Sequence, residues 1–350
     1  MIQYQFKIPA VSGQLDDQIQ AKIDQKTKPP GSLGQIEALA FQIARVQKTV
    51  DPQAGTLHHY VFAADHGVTA QNISPFPAEV TQQMVMNFLQ GGAAINVFAA
   101  QHQVPITIVD AGVAAEPFAA HPLLVDRKVA KGTTDFSGEP AMTEGQWQQA
   151  TESGADLIRE LCGQPENLFF SFGEMGIGNT TAGAALMAAV MNLAPELCVG
   201  RGTGASQKII DNKVRAIQLA LKKHGAQLQT GAAIMQHLGG FELAMMAGAM
   251  AAVAAAGRLF IVDGFLATAA LLCVSKDQPE VLDYAIFGHC SNEQGHKAML
   301  EALGVSPLLQ LNLRLGEGTG AVLAWPLIQS SIVFINNMAS FESAGVSQEK

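Results

Sequence analysis

From His58 onward, short β-type runs alternate with helical stretches, and most of the runs end on an acidic residue beside a glycine. The runs cover residues 60–64, 106–109, 168–172, 259–262 and 284–287. Four of them lead into Asp65-His-Gly67, Asp110-Ala-Gly112, Gly173-Glu174 and Asp263-Gly264. Strands that alternate with helices assemble as βαβ units, so the pattern predicts an α/β fold, a Rossmann-like parallel sheet flanked by helices. The polar strand ends then collect at the carboxyl edge of the sheet, where open α/β folds bind their ligands.

The two ends of the chain read differently. Residues 16–24 and 34–48 carry apolar side chains at helical spacing, including Ile36, Leu39, Ala40, Ile43 and Val46. Between them lies Lys26-Thr-Lys-Pro-Pro-Gly-Ser-Leu-Gly34, a stiff basic loop in which Ser32 is the expected N-cap of the second helix. Residues 321–338 predict a closing apolar helix, and the polar tail 340–350 is expected to fray.

Composition narrows the function. In 350 residues, 48% are hydrophobic and only 15% charged, which fits a globular protein with a substantial core. A net charge of −9 argues against a nucleic-acid or anionic-membrane partner, since no basic stripe is present to neutralise phosphates. Cys162, Cys198, Cys273 and Cys290 are widely spaced, as expected of reduced thiols rather than a disulfide framework or zinc site. The first residues lack the basic-then-apolar order of a secretory signal. The apolar run 243–257 falls short of the ~20 residues of a membrane span and predicts a buried helix. The expected location is the cytoplasm.

The richest segment for chemistry is Ser171-Phe-Gly-Glu-Met-Gly-Ile-Gly-Asn-Thr-Thr181, which leads from a β-type run into a small-residue helix expected over 180–191. A strand-loop-helix turn of this kind aims backbone N–H groups and a helix dipole at one point, an arrangement suited to phosphate around Gly176. Glu174 at its tip calls for something cationic or protic on the same ligand. The alternative is a tight turn with a capping Asn or Thr. Neither the P-loop nor the dinucleotide fingerprint is complete here. A second loop, Gly200-Arg-Gly-Thr-Gly-Ala-Ser206, offers Gly202, Thr203 and Gly204 to an anion, with Lys213 following. In Arg314-Leu-Gly-Glu-Gly-Thr-Gly320, flanking glycines expose Glu317 as a candidate base; pairing with Arg314 or with a helix dipole is the plainer alternative.

Three further features stay open. His66 is either an acid/base group or structural. Gly288-His-Cys-Ser-Asn-Glu-Gln-Gly-His296 lacks recognised metal-ligand spacing and reads as a polar loop, with Ser291 at the ligand. Met84, Met86 and Phe88, beside Ser74-Pro-Phe-Pro77, form either an aromatic-ligand wall or core.

Taken together, Thr27-Lys-Pro-Pro-Gly-Ser-Leu-Gly34, Ala64-Asp-His-Gly67, Gly173-Glu-Met-Gly176 with Asn179-Thr-Thr181, Ile210-Asp-Asn-Lys-Val214, Val262-Asp-Gly-Phe265 and Arg314-Leu-Gly-Glu-Gly-Thr-Gly320 recur in one family. Through these ordered segments the chain resembles the nicotinate-nucleotide–dimethylbenzimidazole phosphoribosyltransferases of cobalamin nucleotide synthesis along nearly its whole length. The resemblance implies a parallel α/β domain (51–324), a small helical domain built from both chain ends (1–50 with 325–350), and a homodimer. It implies phosphoribosyl transfer from nicotinate mononucleotide to 5,6-dimethylbenzimidazole, with no cofactor and no metal. The family's base falls on Glu317 and its second active-site carboxylate on Glu174. Its phosphate loops fall on Gly176 and on Gly202, Thr203 and Gly204, with Lys213 and Ser291 nearby. Base contacts fall on Ser74, Met175 and Leu315. A glutamine expected in that pocket is replaced by Met84, so acceptor choice stays open. A non-catalytic nucleotide sensor and a magnesium-dependent phosphoribosyl pyrophosphate transferase are the rival classes.

Overall fold

Runs of β-branched and aromatic residues that are apolar on both faces form the strands of a sheet covered by helices on each side. In the computed structural model, which describes residues 2–164, 167–200 and 206–347, these are β1 (Thr56–Ala64), β2 (Ile106–Gly112), β3 (Leu124–Asp126), β4 (Asn167–Met175), β5 (Leu259–Val262) and β6 (Ala285–Phe287). Every neighbouring pair is parallel, in the order β3-β2-β1-β4-β5-β6. The order of the strands across the sheet therefore reverses between β1 and β4, which opens a crevice at their carboxyl ends.

The strand boundaries differ from the sequence reading in instructive ways. β1 begins at Thr56 rather than 60, taking in His58 and His59, which interrupt the apolar run. β4 continues to Met175, so Glu174 sits on the strand itself, paired with Phe62 of β1. Tyr284 belongs to a short 3-10 turn, Pro279–Tyr284, and its hydroxyl donates to the Pro9 carbonyl at 2.6 Å. β3 carries no signal a sequence reading could use: three residues, half-buried or exposed, at the edge of the sheet.

The helix Phe241–Ala255 is buried on all sides, as its Ala, Gly and Met content leads one to expect. By length and composition alone the helix Thr319–Asn337 is long and apolar enough to cross a bilayer. Here it is a packing element: Ala321, Val322, Trp325, Ile328 and Ile332 join the main core. Phe334 and Ile335 at its far end join Ile19, Ile23, Ala40 and Ala44 of the N-terminal helices in a second cluster. The chain ends are also stitched by polar contacts. Lys26 Nζ donates to the Met338 carbonyl at 2.7 Å, and the Thr27 N–H to the Ala339 carbonyl at 3.0 Å. This shared cluster supports, as a proposal, a helical unit of residues 1–50 with 325–350.

Two local expectations are corrected. Ser32 does not cap the helix Gln35–Val46, whose N-cap is Gly34; Glu37 reaches back to accept the N–H groups of Gly31 and Leu33 instead. The polar tail opens with a capped helical turn, Phe341–Ala344, and Phe341 N–H donates to the Gln25 carbonyl at 2.9 Å.

Candidate active site

A cleft of about 360 Å³ opens at the carboxyl ends of β4 and β5. Glu174, Met175 and Gly176 reach it from the end of β4, and Asp263 from the end of β5. Ser291 comes from the loop after β6, Leu315 and Glu317 from the glycine-flanked loop before Thr319–Asn337. Ser74 and Met84 line it from the segment that enters the helix Val80–Leu89 and from that helix, and Lys213 from the helix Gln207–His224. Of the residues expected at the site, only Gly202, Thr203 and Gly204 lie outside the described residues.

Glu317 has a left-handed backbone, φ 62°, between Gly316 at 85° and Gly318 at 82°. A non-glycine residue there is strained and persists only where its surroundings hold it. Several contacts do so. Its Oε2 accepts the Ile95 N–H at 3.2 Å, near the start of the helix Ala94–Gln101, and its carbonyl accepts from His59 Nε2 at 2.9 Å. Thr319 donates through both N–H and hydroxyl to the Gly316 carbonyl. The side chain is buried, and burial raises its pKa above the ordinary glutamate value; the Ile95 N–H opposes the rise and Asp263 adds to it. A carboxylate with a raised pKa is better matched to taking a proton near neutral pH.

Glu174 is also buried, and its pKa is raised further, well above the ordinary value. Burial dominates, followed by the nearby carboxylates of Glu242 and Asp263; a hydrogen bond from the Asn179 amide works the other way. Asn179 is thus a partner of the site carboxylate rather than a helix cap. The helix Asn179–Met191 is preceded by Gly178, at φ 101°. Asp263 is fixed by the Ala321 N–H, which donates to its Oδ1 at 3.0 Å, with His289 Nε2 3.5 Å from the same oxygen.

Lys213 brings a cation to the cleft. Its Nζ donates to Thr180 Oγ1 at 3.0 Å, which places an ammonium group beside the first turn of Asn179–Met191. Helix N-terminus and ammonium together favour an anion. Burial lowers the lysine pKa. Ser291 is held by its neighbours: its N–H donates to His296 Nδ1 at 2.8 Å and its hydroxyl to the Leu313 carbonyl at 3.1 Å. His296, pushed down to about 3 mainly by burial, is neutral and donates from Nε2 to Thr268. Its ring nitrogens thereby order the 288–296 loop.

The remaining wall is apolar. Met84 and Met175 line it with Phe76, and Leu315 is more than half exposed at 55%. Thr81 Oγ1 accepts the Ile177 N–H at 3.1 Å and ties the Met84 helix to the turn that follows β4. The methionine cluster divides, because Met86 faces solvent and Phe88 is in the core. His66 does not line the cleft; it is buried against Glu242 at 2.6 Å. Asp65 and Asp110 likewise serve the fold, accepting backbone N–H groups of residues 112–114, and Asp110 pairs with Lys128. Asp263 is visible in the sequence as a strand-end acid, but nothing there assigns it to the site. His59 has no such signal, being one of two histidines inside a strand.

A family model described as phosphoribosyltransferase matches residues 8–346. The nicotinate-nucleotide–dimethylbenzimidazole phosphoribosyltransferase of Cupriavidus taiwanensis is 49% identical over 341 residues, 97% of this chain and 98% of that protein. The protein of the same name from Photobacterium profundum is 47% identical, over 97% of this chain and 99% of its own. The crystal structure of CobT from Thermus thermophilus superposes with a TM-score of 0.91 at 42% identity, covering 96% of this chain and 99% of that one. Sheet order, glycine-held carboxylates and near full-length similarity agree: the chain belongs to the phosphoribosyltransferase family and is an enzyme of that class.

Proposed function

We propose that the enzyme transfers the phosphoribosyl group of nicotinate mononucleotide to 5,6-dimethylbenzimidazole, releasing nicotinate and forming α-ribazole 5′-phosphate for the cobalamin nucleotide loop. The observation that carries this reading is the Glu317 carboxylate, held in a left-handed loop on the wall of an apolar cleft that also contains Lys213. The relatives named for this reaction support the choice of substrates.

The donor phosphate sits against Lys213 and the first turn of Asn179–Met191, so binding energy far from the reacting carbon holds C1′ in place. The pyridinium of the donor is already cationic, and its C1′–N bond breaks with both electrons passing to nitrogen. The benzimidazole lies against Ser74, Met84, Met175 and Leu315. One of its ring nitrogens forms the new bond to C1′ while the other carries a proton. Positive charge builds on the ring, that N–H acidifies, and Glu317 takes the proton. Single displacement inverts C1′ from the β donor to the α product. Glu174 orients the ribose. The enzyme acts as a cytoplasmic homodimer.

The test is incubation with nicotinate mononucleotide and 5,6-dimethylbenzimidazole, following nicotinate and riboside phosphate by chromatography. Acceptor-dependent nicotinate release with an equal amount of α-riboside phosphate is expected. Binding of both ligands without turnover would overturn the reading.

A further inference from the structure

His59 lies on β1 directly opposite Ser171 of β4, and both are fully buried. Its Nδ1 is 2.8 Å from Ser171 Oγ, and its Nε2 is 2.9 Å from the Glu317 carbonyl oxygen. A carbonyl only accepts, so the proton resides on Nε2, and Nδ1 accepts from the serine hydroxyl. Burial pushes the imidazole pKa down to about 4, which keeps the ring neutral around pH 7. The ring is packed against the turn of the loop: a β-carbon on Gly318 would lie 2.0 Å from His59 Cε1.

A histidine and a serine facing each other inside a sheet are a poor choice for packing alone, because a buried polar pair costs stability unless every group is matched. Their matched geometry ends on the backbone of the one non-glycine residue in a left-handed stretch of three. That residue is Glu317. Resting on the assignment of Glu317 as base, we infer that His59 is a positioning residue for it: the Ser171-oriented imidazole clamps the Glu317 carbonyl and sets where the carboxylate meets the acceptor N–H. Ser171 fixes the ring's tautomer and orientation, as an outer partner does for a working histidine.

The experiment compares His59→Leu, His59→Gln and Glu317→Gln in initial-rate nicotinate release, with folding followed by circular dichroism. Leucine removes the donor, whereas the glutamine amide reaches the position of Nε2 and restores it. His59→Leu is expected to lower kcat about 10- to 100-fold, the size of effect that a misplacement of about 1 Å produces. KM for nicotinate mononucleotide is expected to stay within about threefold, since the clamp does not touch the donor. His59→Gln is expected to recover most of the loss. Full kcat in His59→Leu, or equal losses in the leucine and glutamine variants, overturns the clamp.

Glu317→Gln separates the two levels. If that variant keeps wild-type turnover, the base assignment falls and the clamp falls with it. If it is inactive while His59→Leu is fully active, only the clamp falls. Should His59→Leu fail to fold, nitrogen NMR of the wild-type imidazole decides. A proton on Nε2 and no titration between about pH 5 and pH 8 are expected; titration there, or a proton on Nδ1, overturns the proposal.

Discussion

A β-carbon on Gly173 would lie 2.2 Å from both the carbonyl carbon and the carbonyl oxygen of Glu317. The loop that carries Glu317, the proposed base, therefore rests directly on the backbone of β4, one residue before Glu174, and this contact between strand and loop links the positions of the two carboxylates. Gly173→Ala is expected to lift the loop and lower kcat by about 10²-fold. Overpacking of this kind costs about 1–3 kcal/mol of stability, visible in urea unfolding. A folded Gly173→Ala enzyme with full turnover would show that loop height does not matter for the chemistry.

Glu317→Gln keeps the shape and the acceptor for the Ile95 N–H while removing the carboxylate proposed as base. Turnover measured as nicotinate release is expected to fall by about 10²–10⁴. The pH dependence carries the complementary information. As the proposed base, Glu317 works only when ionised, and its pKa is raised by burial and by Asp263. The wild-type rate is thus expected to fall as pH drops through a value above that of an ordinary glutamate. A rate profile flat through the acidic range in the wild type would contradict the assignment.

Much of this site can be read from residue order, for a physical reason. A parallel sheet delivers the last residues of each strand and those just beyond to one edge, so Glu174 and Asp263 are legible as strand-end acids beside glycine. Glu317 is legible because the flanking glycines single out its carboxylate, and in the structure those glycines take left-handed backbones. What stays hidden depends on pairing between strands. Nothing in Leu57-His-His-Tyr60 tells which histidine faces Ser171, because that follows from the register of β1 against β4. Asp65 and Asp110 show the converse: they share the strand-end pattern, yet Asp110 Oδ1 accepts the N–H groups of Gly112 and Val113, and Asp65 Oδ2 that of Ala114. β3 has too few residues for periodicity, and Ser32 yields its expected role to the Glu37 carboxylate, which satisfies two N–H groups at once.

Lys213 provides a test of the donor end of the cleft. Its ammonium meets Thr180 at the first turn of Asn179–Met191, and a phosphate placed there gains a charge-assisted hydrogen bond. Losing such a bond costs about 1.5–3 kcal/mol. Lys213→Ala is expected to raise KM for nicotinate mononucleotide by about 10- to 100-fold with a smaller effect on the dimethylbenzimidazole KM. An equal effect on both substrates would move the phosphate elsewhere.

Glu174 gives a prediction about stability in which the site works against the fold. Its carboxyl is buried near Glu242, Asp263 and Glu317, and its pKa is raised well above the ordinary value. The folded state therefore holds this proton more tightly than the unfolded chain does. The resulting stabilisation is fully present below the unfolded-state pKa of about 4.3 and is lost as pH rises through the raised folded value. Glutamine keeps an oxygen to accept the Asn179 amide and has no proton to lose. The melting temperature of Glu174→Gln relative to wild type is accordingly expected to climb as pH rises across that window and then to level off. Activity is expected to fall in the same variant, because a group kept at the expense of stability is kept for function. A difference in Tm that is flat with pH, or that shrinks as pH rises, would mean that the carboxyl is not held against its charged form.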